Sequence, residues 1–139
     1  MQTVSLSGFK GKKHVVLYFY PRDGTPVCTM QAIDFSDHDD LFSRHDCVIF
    51  GVSRDDCLTH ADFRDKHGLS IGLLSDTDGI VCRKYGVLQE KEIEGARREC
   101  LVRSTFVIDK KGVIRHAVYG ANPRHHALEI AEVIKKLRA

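Results

Sequence analysis

Apolar residues along this chain fall into two kinds of pattern. "HVVLYFY" (His14 to Tyr20) is a near-continuous run of aliphatic, β-branched and aromatic residues, which predicts a central strand buried on both faces. "CVIFGVS" (Cys47 to Ser53) predicts a second core strand. Between them, "TMQAIDFSDHDDLFSRH" sets Met30, Ile33, Leu41 and Phe42 at roughly helical spacing and predicts one helix. "LTHADFRDKHG" predicts a short helix stopped by Gly68. "SDTDGIVCRKYGV" predicts a capped short helix ending near Gly86, while "GVLQEKEIEGARREC" is charged, lacks periodicity and reads as a loop.

The C-terminal third is easier to parse. "LVRSTFVID" and "GVIRHAVYG" predict two strands joined at "DKKG", where Asp109 and Gly112 suit a hairpin turn. "NPRHHALEIAEVIKKLRA" predicts a helix with Asn122 as cap and Pro123 at its first position. Ala127, Ile130, Ala131, Ile134 and Leu137 form its apolar stripe, and Lys135, Lys136 and Arg138 suit its negative end. Strand–helix–strand–helix followed by a hairpin and a helix predicts an α/β sandwich around a mixed sheet, in one domain spanning residues 1–139.

Composition narrows the function classes. A formal charge of +2 is too small to argue for nucleic acid or an anionic membrane surface, and no basic cluster alternates with aromatics. The apolar run Val15 to Tyr20 is too short to span a bilayer and no cleavage pattern follows it, so the expectation is a cytoplasmic protein. Cys28, Cys47, Cys57, Cys82 and Cys100 are odd in number and scattered, unlike a secreted disulfide framework. Most of them read as small apolar packing residues, Cys47 within a core strand.

Cys28 is different because of where it falls. In "YPRDGTPVC", Thr25 is a good N-cap and Pro26 a good first helical residue, which makes Cys28 the third. A sulfur there lies near unpaired backbone N–H groups and the positive end of the helix dipole, a setting that favours thiolate over thiol. The loop also leaves the C-terminal edge of a strand, where open α/β folds place their chemistry.

These residues carry a family resemblance. "FYPRDGTPVCT" resembles the peroxiredoxin signature P-x-x-x-T-x-x-C, filled here by Pro21, Thr25 and Cys28. The flanking "TP" and "CTMQ", with "LLSD" and "RSTFVID" further on, are most similar to the bacterioferritin comigratory protein (peroxiredoxin Q) branch. The likeness runs from "VSLSGFKGK" to the C-terminus.

The resemblance implies a thioredoxin-like fold and a thiol peroxidase that uses no cofactor and no metal. Cys28 would be the peroxide-reactive cysteine, with Thr25, Arg103 and Pro21 around it. Gln31 matches the glutamine or acidic residue at that place in the family and would tether Arg103 or the helix; a solvent-facing helix glutamine is the other reading. The implied partners are a hydroperoxide and thioredoxin or another thiol reductant, with the chain a monomer or weak homodimer.

Three departures from the branch are visible. The places where relatives carry a second, resolving cysteine hold Ile33 and Arg64 here. That leaves a one-cysteine mechanism, or a resolving role for Cys57 or Cys100, while Cys82 reads as packing. Relatives also have an N-terminal segment rich in proline and phenylalanine, for which Met1 to Thr3 leave no room, so the expectation is that either the natural start differs or the hairpin this segment forms is absent.

Rival functions are weaker. A thioredoxin-type oxidoreductase needs C-x-x-C, and Gln31 stands where the second cysteine would be. Metal binding would use five cysteines and eight histidines, but these show no paired C-x-x-C spacing, and His125 and His126 are merely adjacent on a helix. A peroxide sensor using the same thiol without sustained turnover remains the alternative reading.

Overall fold

β1 (His14–Phe19) is buried along its whole length and sits at the centre of a five-stranded sheet. In this computed structural model the described residues are 4–122, 124 and 126–137. The expectations for Met1 to Thr3, Pro123, His125 and Arg138 lie outside them. β2 (Cys47–Ser53) and β3 (Gly72–Ser75) run parallel to β1 on one side. β6 (Ser104–Ile108) pairs antiparallel with β1 on the other side, and β7 (Ile114–Tyr119) follows β6, giving the order β3-β2-β1-β6-β7. This is the mixed sheet that the chain's element order predicts. The turn between β6 and β7 closes at Asp109 and Gly112, where Gly112 N–H donates to the Asp109 carbonyl at 2.9 Å.

Successive residues of a strand face opposite sides, so β1 feeds two cores. Val16, Tyr18 and Tyr20 join Phe35, Phe42, Phe63, Ile130 and Ile134 in one. Those partners come from α1 (Pro26–Asp37), α2 (Asp39–Ser43), α3 (Cys57–His67) and α5 (His126–Lys136). Val15, Leu17 and Phe19 meet Cys82, Val87 and Phe106 in the other, with Leu6 and Phe9 of a short 3₁₀ turn, Leu6–Phe9, packed alongside. Tyr18 stacks on Phe35 with ring centroids 4.6 Å apart, and Gly51 of β2 makes room for it: a Cβ there would meet Tyr18 Cζ at 2.7 Å. The predicted stripe of α5 is buried at Ala127, Ile130, Ala131 and Ile134, with Leu137 half-buried just beyond the helix.

Three expectations are corrected. The single helix after Cys28 is two, α1 and α2, broken at His38, whose Nδ1 bonds the Asp34 carbonyl at 2.8 Å. The buried positions of α1 are Cys28, Gln31, Ala32 and Phe35, whereas Met30 is exposed. β3, in "GLLS", was not anticipated, because four residues with no strongly alternating face carry little periodic signal.

The third correction is the segment read as a loop. It is a hairpin of β4 (Leu88–Ile93) and β5 (Ala96–Leu101), turning at Glu94 and Gly95, whose φ angles are 52° and 79°. Two positive φ values are what a tight two-residue hairpin turn demands. Both strands are mostly exposed, so no apolar alternation marks them, and the ladder is supported by polar pairs such as Arg97–Glu90 at 3.4 Å. β5 also takes Leu101 from the predicted "LVRSTFVID" strand, and Arg103 lies just ahead of β6.

α4 (Ile80–Lys84) is five residues long and depends on one buried acid. The Asp76 carboxylate accepts the N–H groups of Val81 at 3.1 Å and Cys82 at 2.7 Å. Burial works against the charge, but the hydrogen bonds from Cys82 and Val81 outweigh it and hold the carboxyl below its usual range. Asp76→Ala should cost about 1–2 kcal/mol in denaturant unfolding. Because the folded-state value is depressed, this contribution is present above the ordinary carboxylate range and fades as pH falls through the folded value. The gap between wild type and variant should therefore close on acidification below about pH 4.

Candidate active site

Cys28 occupies the third position of α1, after Thr25 as N-cap residue, Pro26 and Val27. Local sequence explains the placement: the chain leaves β1 through Pro21 to Gly24, Gly24 turning at φ 83°, and Pro26 is preset for helix entry. The Cys28 side chain is directed inward, and the residue is only 1% exposed.

A guanidinium covers it. Arg103 Nη2 donates to Cys28 Sγ at 3.2 Å, and Arg103 Nη1 donates to Gln31 Oε1 at 2.6 Å. Cys28 and Gln31 are three residues apart on α1 and so share one face, which matches the fork of one arginine. Gln31 is fully buried, so the tethering reading of this residue holds and the solvent-facing one does not.

The 75-residue separation of Cys28 and Arg103 is closed by strand register. Phe19 at the end of β1 pairs with Ser104 at the start of β6, which brings the residue before β6 to the edge where α1 begins. Ala121 N–H donates to the Arg103 carbonyl at 2.8 Å and fixes its backbone.

Thr25 has the extended backbone of an N-cap residue, φ −73° and ψ 149°, but its hydroxyl makes no capping bond to the helix. Oγ1 instead reaches the Arg22 carbonyl at 3.4 Å, a long contact. Thr25 is half-buried, as is Arg103, while Pro21 is exposed at the loop's start. Two buried polar atoms near the site have no hydrogen-bond partner among the described residues, Tyr18 Oη and Gln31 Nε2. Burial pushes the Tyr18 phenol far above its ordinary range, with the charges of Asp23 and Cys28 adding to it, so it stays a hydroxyl.

The other cysteines divide by environment. Cys47 and Cys82 are buried, and burial pushes both thiols up to about 12, helped by Asp39 for Cys47 and by Asp76 for Cys82. Both are inert packing thiols at neutral pH. Cys57 is exposed at the start of α3 and lines an apolar cavity of about 450 Å³ with Leu17 and Val52. Those two side chains belong to the core opposite the one that holds Cys28. Cys100 is half-buried on β5, opposite Gln89. No disulfide links any of the five in this structure.

A polar cluster beside the site was not read from the sequence. Asp23, Asp55 and His60 bring their side chains together, with Tyr20 and Ser53 bonded to them. Its members are spread over 40 residues and follow no motif spacing, so only the folded chain reveals it. The described helices include none long and apolar enough to cross a membrane.

Comparison with known proteins bears on the family and the fold. The model of the AhpC/TSA family matches residues 1–117. Peroxiredoxin Bcp of Bacillus subtilis is 38% identical over 136 residues, covering 98% of this chain and 86% of that protein. The chloroplastic peroxiredoxin Q of Triticum aestivum is 40% identical over 138 residues, covering 98% of this chain and 60% of that one. Among solved structures, the Xanthomonas campestris bacterioferritin comigratory protein, studied for its alkyl peroxide reduction activity, superposes with a TM-score of 0.92 at 32% identity. That match covers 95% of this chain and 83% of that one. With a family match over most of its length and a thioredoxin-like sheet that superposes this closely, the chain belongs to the AhpC/TSA family, among the peroxiredoxins of the Bcp and Q type.

Proposed function

We propose that this chain reduces hydrogen peroxide and organic hydroperoxides through Cys28 and is recycled by an external thiol, thioredoxin or a similar donor, in the cytoplasm where such donors are kept reduced. The observation that carries this reading is the Arg103 fork, one arm on Cys28 Sγ at 3.2 Å and the other on Gln31 at 2.6 Å. The guanidinium that donates to the sulfur is already in place to meet the charge that moves during attack. A guanidinium held by a buried glutamine needs little reordering as charge moves.

In the first step the thiolate sulfur attacks one peroxide oxygen. The S–O bond forms, the O–O bond breaks, and the departing oxygen leaves as water or an alcohol after taking a proton. Cys28 becomes a sulfenic acid. A donor thiol then condenses with it, releasing water and forming a mixed disulfide, and a second donor thiol returns Cys28 to the thiol.

Nucleophilicity falls as a thiol becomes more acidic, so ionisation alone does not make this reaction fast. The acceleration comes from groups that hold the stretching O–O bond, namely Arg103, the first N–H groups of α1 and the Thr25 hydroxyl. Pro21 shapes the rim of the loop. Because the Thr25 hydroxyl does not cap α1, its removal should spare the helix and report on peroxide alone. Thr25→Val should slow Cys28 oxidation by about 10²-fold with an unchanged melting midpoint, read by rapid quench and mass spectrometry.

Cys57 and Cys100 remain the candidates for a second thiol. A bridge to Cys28 requires Cα atoms about 4.4–6.8 Å apart at the moment it forms. The functional reading itself is tested by turnover. Supplied with thioredoxin, its reductase and a nicotinamide reductant, the protein should consume many equivalents of hydrogen peroxide per chain. A single equivalent followed by a stall would favour the sensor reading.

A further inference from the structure

The end of the sheet away from Cys28 gathers positive charge. Lys10, Lys12, Lys13, Lys110 and Lys111 are five of the chain's ten lysines, and they sit in two turns. One lies between the 3₁₀ turn and β1, and the other joins β6 to β7. Gly11 N–H donates to the Lys110 carbonyl at 2.6 Å and ties the two together. The N–H groups of Lys12 and Lys13 both donate to the Phe9 carbonyl at 2.9 Å, so the backbone that carries these charges is fixed.

Like charges brought this close repel one another. Lys110 is answered by Asp46 at 3.1 Å, but Lys10, Lys13 and Lys111 enter no ion pair among the described residues. These three lysines line a cavity of about 320 Å³ together with Asp109. That acid is already used: Oδ1 accepts the N–H groups of Lys111 at 2.9 Å and Val113 at 3.0 Å, and Arg115 Nη1 donates to Oδ2 at 3.2 Å.

The rest of the cavity is largely apolar, with Leu6, Phe9, Val15, Tyr85, Ile108 and Ile114 in its walls. Its shape is set in advance, because Phe9 is backed by Phe50 with ring centroids 5.7 Å apart, and Tyr85 by Phe19 at 5.2 Å and Phe106 at 5.0 Å. Ile114 is nevertheless 49% exposed, and its neighbour Val113 52%. The cavity is separate from the peroxide site. Val15 belongs to the core on the other face of the sheet from Cys28, and it stands about 13 Å along β1 from Phe19.

Charge and surface together define what fits. Unpaired ammonium groups attract an anion, while apolar walls reward a hydrocarbon body and offer little to read a polar ring. Lysine stems can cover such a body while their charged ends stay in water. A volume at the low end of the ~300–1,000 Å³ usual for ligand pockets selects one short chain over a two-chain lipid. We propose that this cavity binds a short single-chain carboxylate, its tail against the apolar walls and its head among Lys10, Lys13 and Lys111. The site makes no use of Cys28, so it stands or falls apart from the peroxidase reading.

The experiment titrates decanoate, below its micelle concentration and at low ionic strength, into wild type. Calorimetry reads the affinity, and amide shifts in nuclear magnetic resonance spectra read the place. Saturable binding is expected, with shifts concentrated at residues 6–15 and 108–115 and at Tyr85. Replacing the three lysines together (Lys10→Gln, Lys13→Gln, Lys111→Gln) should weaken binding by about tenfold, with an unchanged melting midpoint and unchanged peroxide consumption. Ile114→Asp should weaken it as well, by placing a carboxylate on the apolar wall. If the triple variant does not fold, wild type decides, since about 0.5 M salt should weaken decanoate binding several-fold.

Two controls separate the parts of the ligand. Decyltrimethylammonium carries the tail without the anion, and acetate the anion without the tail; equal affinity for either would overturn the site. So would the absence of saturable decanoate binding, or shifts centred on Cys28. Binding to phosphatidylserine vesicles without binding of monomeric decanoate would replace the cavity by a membrane-facing surface.

Discussion

Cys28→Ser should leave a folded protein that consumes no hydrogen peroxide above background, a loss on the order of 10⁴-fold or more for deleting a nucleophile. The substitution changes one buried atom and leaves Arg103 tied to Gln31, so the site should keep its shape. What disappears is chemistry: a serine hydroxyl is not ionised at neutral pH, and the guanidinium bonded at that position is a cation that cannot take its proton. The check is a peroxide-consumption assay with the thioredoxin system, alongside a melting curve that shows an intact fold. Wild-type consumption by the serine variant would remove Cys28 from the mechanism and with it the assignment of every residue around it. Single Cys57→Ser and Cys100→Ser variants in the same assay separate the two halves of the cycle. A resolving cysteine affects recycling, not the first oxidation.

The second large effect is expected at Arg103. Arg103→Lys keeps the charge, yet an ammonium is a point donor that cannot span both Cys28 Sγ and Gln31 Oε1, as the guanidinium does at 3.2 and 2.6 Å. Losing a pre-aimed transition-state donor typically costs about 10²–10³-fold, and that is the fall expected in the second-order rate of Cys28 oxidation. Arg103→Ala should be at least as slow. If lysine restored the wild-type rate, charge alone would suffice and the forked geometry would be incidental. Arg103→Ala also leaves the buried Gln31 without its Oε1 donor, beside an Nε2 that has no partner among the described residues, so a modest drop in stability should accompany the kinetic loss.

What could be read in advance follows from how far apart the interacting residues lie in the chain. β1, β2, α3, the β6–β7 hairpin and the stripe of α5 each announce themselves within a dozen residues. The reason is that burial acts on a local period: continuous apolar runs for central strands, a 3.6-residue stripe for a surface helix, and glycine or proline at the ends. The same locality made Cys28 legible, since its helical position depends only on Thr25 and Pro26 just before it. The β4–β5 hairpin was missed because its strands bury little and so need no alternation. The break between α1 and α2 was missed because the predicted stripe mixes exposed Met30 with half-buried Ile33 and Leu41 and buried Phe42, and so marks no helix end at His38.

By itself, the amino-acid sequence determined β1, β2, α3, the β6–β7 hairpin, α5, the mixed-sheet class, the place of Cys28 in the first turn of α1 and the family likeness, because each of these is encoded in short stretches of neighbouring residues. Only the tertiary structure shows how distant groups come into contact. Pairing of Phe19 with Ser104 delivers Arg103 across 75 residues, and packing of α3 against the sheet delivers His60 to Asp23 across 37. Strand register and helix packing are properties of the whole core, settled by the burial of many side chains at once, and no local spacing carries them.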